Sequence, residues 1–483
     1  MFEVETFSYL KQIYPFEWVM LTIYMLVLLG ISFFIQVSNI KKQPVYRYYL
    51  GGVAMKAFSA VVFCLIYIYY YNGGDTVCYY ETSRALVNLG MKDPASFWKV
   101  MTTAPSVENY FLFDDKTGFP WAFMYYDTQT FFVAKLIAPI LFVAFRSYLV
   151  SGVVLSWLSF FGIWRFFLML CRHYPAIEKR LALGVIFVPS VLFWGSGILK
   201  DTITFSAVCW FIVGIEGFFI LKKSRLKNAA IFIVASYVLI SIKAYIMISL
   251  LPGVFLWLLY SRFSRFKSYF LRYMSVPFIV IFSLAAGYGL LSVLGDSLGK
   301  FSVAHMLETA SITQRDLKQD YYHGSSFDIG EFDPTISGVI SKAPAAMAVG
   351  LFRPFIWEAH NVVMLVSGLE NLVYLSLTLM LFARFIMQPK KFFRTFFNDP
   401  LLLFMFTYTL LFSVLVGLST SNFGALVRFK IPFLPAFICF LLILNYKLAR
   451  KRSGAPAGDY SPLVNPGTIR YDEKTGIITK AGR

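Results

Sequence analysis

The sequence predicts an all-α polytopic membrane protein with about eleven transmembrane helices and two long outer, periplasmic loops that bear interfacial helices. Three observations lead there. Of the 483 residues, 58% are hydrophobic and 19% aromatic, only 14% are charged, and the mean hydropathy is +0.65; soluble domains carry about 25% charged residues. Apolar runs of roughly 18 to 25 residues, enough to cross a hydrocarbon core, recur as far as residue 446. The loops between those runs alternate in charge, which places the net charge of +18 in loops and gives no reason to invoke nucleic acid.

Each element follows from these patterns. Residues 1–16 form an outer N-terminal segment. The first span, 17–36, has acidic residues before it and neither a basic n-region nor a small-residue cleavage site, so it reads as an anchor. Basic segments at 41–47, 172–180, 222–227 ("KKSRLK"), 262–272, 384–394 and 447–452 ("KLARKR") mark the cytoplasmic side. Spans at 17–36, 48–71, 147–170, 181–195, 202–221, 228–242, 244–260, 273–295, 365–386, 400–418 and 430–446 satisfy every loop, with the N-terminus outside and the C-terminus cytoplasmic. The transmembrane domain is thus 17–446, with outer loops 72–146 and 296–364. The apolar stretch 131–145 ("FFVAKLIAPILFVAF") is short, is interrupted by Lys135 and Pro139, and as a crossing would invert every later loop; a helix at the outer interface fits it. The Gly- and Pro-bearing segment 447–483 reads as a flexible cytoplasmic tail. Five scattered cysteines offer no disulfide framework.

Chemistry-bearing residues gather on the outer side. Asp75 follows the second span directly, in "NGGDTVCYYETSRAL", where Gly73 and Gly74 permit a tight turn. It is placed either to cap the helix that follows or to face a substrate, or both. Glu81 lies about two turns along the same helix, where a solvated face is the plainer reading and a second site carboxylate the other, and Asp127 in "MYYDTQ" precedes the interfacial helix as cap first and site residue second. Outer cations run against the orientation bias: Lys200, Lys243, Arg353, Arg428 and Lys430. Snorkelling to lipid phosphate is their plain alternative, and Arg353 with Glu358, or Lys200 with Asp201, could equally form internal ion pairs. Lys56, Arg165 and Glu216 fall near cytoplasmic span ends and read as snorkelling or packing residues.

The chain resembles GT-C-type membrane glycosyltransferases and the related polymerases of bacterial envelope polysaccharides. The resemblance is architectural and covers most of 48–446: "GGDTVCYYETSRAL" after a span, the interfacial stretch 131–145, "VPSVLFWGSGILKDTITF", and "NFGALVRFKIPFLP" leading into the last span. Two features depart from the class: an additional span precedes the acid-bearing one, and the acidic pair frequent there is Asp75-Thr76 here.

The resemblance implies transfer of a sugar from a polyprenyl-phosphate-linked donor to an envelope glycan or lipid acceptor, on the outer face of a bacterial inner membrane. Membrane lipids would be the other partners. Asp75 would be the proton acceptor, with Glu81 and Asp127 as further carboxylates, since transfer with inversion needs a base at headgroup height. Lys200, Lys243, Arg353, Glu358, Arg428 and Lys430 would line the substrate site. Repeat-unit polymerisation leaning on the loop arginines, and flipping or transport of a lipid-linked glycan, stay open beside it. Four scattered histidines, and no nucleotide-binding loop, mark no cofactor. A divalent cation held by Asp75 with Asp114 or Asp115 stays open.

Overall fold

The computed structural model describes residues 10, 12–263, most of 274–285, 303–317, 326–449, 469–471 and 478–480. Seven helices among them are long and apolar enough to cross a membrane: Pro15–Ile40, Pro44–Tyr69, Tyr148–His173, Lys200–Ile220, Arg225–Tyr260, Val362–Met387 and Pro400–Ser419. The pair Phe423–Phe429 and Leu434–Ala449, bent by 67°, makes an eighth if counted as one. The protein is a multi-pass membrane protein, and its described membrane region is all-α. The expected span 273–295 lies largely outside the described residues, as do most of the basic segment 262–272, part of the second outer loop and most of the tail. Within the tail, Ile469–Tyr471 pairs antiparallel with Ile478–Lys480.

The stretch expected as a span at 181–195 is instead two short helices, Glu178–Val185 and Pro189–Trp194. Pro189 lacks an N–H and disfavours helix at Val188, and Gly195-Ser196-Gly197 then runs unwound up to Lys200. The chain still passes from one end of the bundle to the other here. Glu178 pairs with Arg47 at one end, whereas Asp201 meets Arg428 and Lys243 at the other.

A second break sits at Lys243. The helix Arg225–Phe263 has 39 residues, but Lys243 is non-helical (φ −148°, ψ 77°). A straight rod of that length would measure about 58 Å, nearly twice a hydrocarbon core. Its first arm packs antiparallel to Lys200–Ile220, with Gly214 against Phe232 and Gly217 against Asn228. Its second arm packs antiparallel to Pro400–Ser419: the Tyr245 ring lies 5.9 Å from Phe412, and Trp257 stacks on Phe404 at 5.4 Å. The chain therefore turns back at Lys243.

Two further helices brace the bundle. Ile336–Phe352 lies against Pro400–Ser419 so closely that a Cβ on Gly350 would fall 2.2 Å from the Ser413 carbonyl, and one on Gly417 2.0 Å from that of Ala346. Small residues let helix backbones meet in this way. Thr128–Val143 buries Phe131, Val133, Ala134, Ile137 and Leu141, and packs on the helix Asp75–Lys92, where Ser83 donates to the Ala134 carbonyl at 3.0 Å.

The described basic segments collect at one end. Arg47 pairs with Glu178 and Arg172 with Glu216, Lys391 donates to the Leu448 carbonyl, and Asp399 takes both Lys447 and the Tyr174 hydroxyl. At the opposite end lie Asp75, Asp127, Lys200, Asp201, Lys243 and Arg428.

Candidate functional site

At that opposite end, five chain breaks converge. The helix Tyr49–Tyr69 stops, and Asn72, Gly73 and Gly74 take left-handed backbone (φ 53°, 124° and 110°) to re-aim the chain into Asp75–Lys92. Glycine suits the last two positions, and a Cβ on Gly74 would also press on the Tyr67 ring at 3.2 Å. Gly74 is the capping residue, and the Asp75 side chain makes no capping bond. It faces Arg428 instead. The other breaks start the helix Thr128–Val143 after Asp127, start Lys200–Ile215 after the unwound glycines, turn the chain at Lys243, and bend it after Phe423–Phe429.

Asp201 is the hub. Its carboxylate is fully buried, with 0% of the side chain exposed, and accepts from Lys243 Nζ at 2.5 Å and from Arg428 Nε at 2.7 Å. Arg428 gives its other arm, Nη1, to Asp75 Oδ2 at 2.8 Å. Asp75 is different in kind: 53% of its side chain is exposed. The Arg428 guanidinium holds the Asp75 carboxyl below its ordinary range, outweighing the opposing effect of burial. Lys243 Nζ also lies 4.8 Å from the centroid of the Phe429 ring. Burial of two cations and a carboxylate near a span end is expensive unless each is paired, and here they pair with one another.

Lys200 and Asp127 form the adjoining corner. Lys200 Nζ donates to Thr130 Oγ1 at 2.7 Å and lies 4.0 Å from Asp127 Oδ2. Asp127 caps its helix by accepting from Gln129 N at 3.3 Å and is bonded to the Thr130 hydroxyl. It therefore acts as cap and as neighbour of Lys200 together. Burial pushes the nearby Cys78 thiol up to about 12, so it is no thiolate nucleophile at neutral pH.

The remaining sequence-predicted residues lie apart from the hub. Glu81 is not on a solvated face: it is buried and accepts from Trp121 Nε1 at 3.0 Å, packed under the loop that carries Trp121. Arg353 binds Glu358 through Nε (2.9 Å) and Nη2, and its guanidinium lies 5.0 Å and 5.1 Å from the Phe327 and Phe423 ring centroids. Lys430 is buried and donates to the Arg353 carbonyl. Asp114 forms a turn, accepting from Lys116 N and Thr117 N and pairing with Lys92. Among the described residues, no group of three or more His, Cys, Asp or Glu side chains is placed to hold a metal ion.

Two residues gain partners that their sequence setting does not reveal. Lys56 is buried inside the bundle, donating to the Gly195 carbonyl and lying 3.3 Å from Ser196 Oγ, so it does not snorkel. Asp201 is absent from the sequence-derived site set because its neighbour Lys200 is the obvious partner; its partners are 42 and 227 residues away in sequence. The available signal was an acid in the first turn of an otherwise apolar helix.

Comparison of the chain with protein-family models, with curated proteins and with solved structures found no match in any of the three.

Proposed function

We propose that the protein is a membrane glycosyltransferase that transfers a sugar from a polyprenyl-phosphate-linked donor to an envelope glycan or lipid acceptor. The observation that carries this reading is Asp75, a half-exposed carboxylate 2.8 Å from Arg428, which is itself anchored on the buried Asp201. Such a site supplies what the reaction needs: a base facing solvent, and a planar cation for the departing phosphate, with Lys200 and Lys243 near it. In this reading the chain makes eleven crossings of a bacterial inner membrane, the site faces outward, and the basic end faces the cytoplasm. The helix Thr128–Val143 lies at the outer interface.

Polymerisation of lipid-linked repeat units would lean on the loop arginines Arg315 and Arg353, which stand beside Glu331 and Glu358. A second reading, translocation of a lipid-linked glycan, draws on Lys56, a buried lysine that donates to the Gly195 carbonyl in the unwound segment.

Purified protein, in detergent for product analysis and reconstituted into vesicles for transport, given polyprenyl-phosphate-linked and polyprenyl-pyrophosphate-linked sugars with a lipid acceptor, separates the readings. A new glycosidic product supports transfer. Products that lengthen by whole repeat units support polymerisation. Movement of the donor across vesicles without any product overturns transfer in favour of translocation.

A further inference from the structure

The charges in the network around Arg428 and Lys200 balance. Three carboxylates, Asp75, Asp127 and Asp201, face three cations, Lys200, Lys243 and Arg428. An incoming phosphate ester therefore meets no surplus positive charge and must compete with a carboxylate for its cation. Asp201 cannot be the one that yields: it has no exposure to solvent, and its departure would strand Lys243 and one arm of Arg428 inside the protein. Asp127 is engaged as the cap of its own helix. Asp75 is half-exposed, sits on a glycine turn, and is joined to Arg428 by one guanidinium arm only. Released, it meets water at little cost.

We propose that Asp75 is an internal ligand of an anion site on Arg428, and that a phosphate ester or pyrophosphate displaces it from that site on binding. The phosphate oxygens take the Nη1 arm, while Asp201 keeps Nε and so keeps the guanidinium in place. The carboxylate set free no longer has the cation that weakens it as a base, so arrival of the anion is coupled to activation of Asp75. The identity of the anion as a lipid-linked phosphate rests on the function proposed above; the exchange of ligands on Arg428 does not.

Calorimetric titration of the full-length protein in detergent tests this, with inorganic pyrophosphate and farnesyl monophosphate as probes. Removing the competing carboxylate in Asp75→Asn, and in Asp75→Ser as a second variant, should tighten anion binding by about two- to fivefold, the size of a half-exposed ion pair. Arg428→Gln should lose binding by at least about tenfold. Tightening toward farnesyl monophosphate alone assigns the site to lipid-linked phosphate; tightening toward pyrophosphate as well assigns it to phosphate in general. Binding by both Asp75 variants that is equal to or weaker than wild type, or absent throughout, overturns the proposal. Tighter binding by the variants, with no glycosyl transfer by the wild type, upholds the exchange and removes the proposed function instead.

Discussion

Removing Asp201 should damage the protein more than removing any other carboxylate at this end. Asp201→Ala leaves Lys243 and Arg428, whose side chains are only 9% and 16% exposed, without the carboxylate they share. Deleting one partner of a buried ion pair costs about 3–5 kcal/mol. Arg428 keeps Asp75, and Lys243 keeps the Phe429 ring, which places the expected loss near the lower bound, about 3 kcal/mol. Asp201→Asn retains one acceptor oxygen and should lose less. Adding Lys243→Met to Asp201→Asn removes the stranded ammonium, so the double variant should recover part of the loss, with a coupling of about 0.5–3 kcal/mol. Denaturant titration in detergent, followed by tryptophan fluorescence, measures all four proteins. Stability of Asp201→Ala within about 0.5 kcal/mol of wild type would refute the hub, because it would mean that the two cations do not depend on it.

Other expectations follow from the same geometry. Arg428 depresses the Asp75 carboxyl, so the pair's contribution is complete above the unfolded value of about 3.9 and is lost as pH falls through the lower folded value. The stability difference between wild type and Asp75→Asn should accordingly be flat above about pH 5 and vanish in stronger acid. Gly417→Ala should cost about 1–3 kcal/mol in the same titration by driving its helix from Ala346, whereas Gly30→Ala, with open space around it, should stay within about 0.5 kcal/mol. A cysteine at Lys116 should react with an impermeant maleimide in intact cells, and one at Lys390 only after permeabilisation; labelling of both in intact cells would contradict the proposed orientation.

Much of the architecture was legible because a bilayer imposes length and apolarity on each crossing. The charge alternation adds which segments share an end, and the contacts from Arg47 to Glu178 and from Asp399 to Lys447 group the basic segments at one end. Breaks inside a crossing were harder to read. "VPSVLFWGSG" is as apolar as a helix, and only Pro189 and the glycines at 195 and 197 signal that its backbone unwinds. For the site, an acid directly after a span picks out Asp75, and an unusual charge in a short outer loop picks out Lys200, Lys243 and Arg428 individually. Pattern does not reveal partners: the pairing of Arg428 with Asp75 spans 353 residues. Lys56 escaped for the same reason, since nothing local to it announces the Gly195 carbonyl 139 residues away.

The most direct measurement is turnover by wild type and Asp75→Asn with a polyprenyl-phosphate-linked sugar donor, at matched expression and confirmed folding. The side chain makes no capping bond, so Asn should leave the helix start intact while removing the base. The account predicts glycan product from wild type and a loss of about a hundredfold to ten-thousandfold in Asp75→Asn, the range for a missing general base. Wild-type turnover in the Asn variant would contradict it.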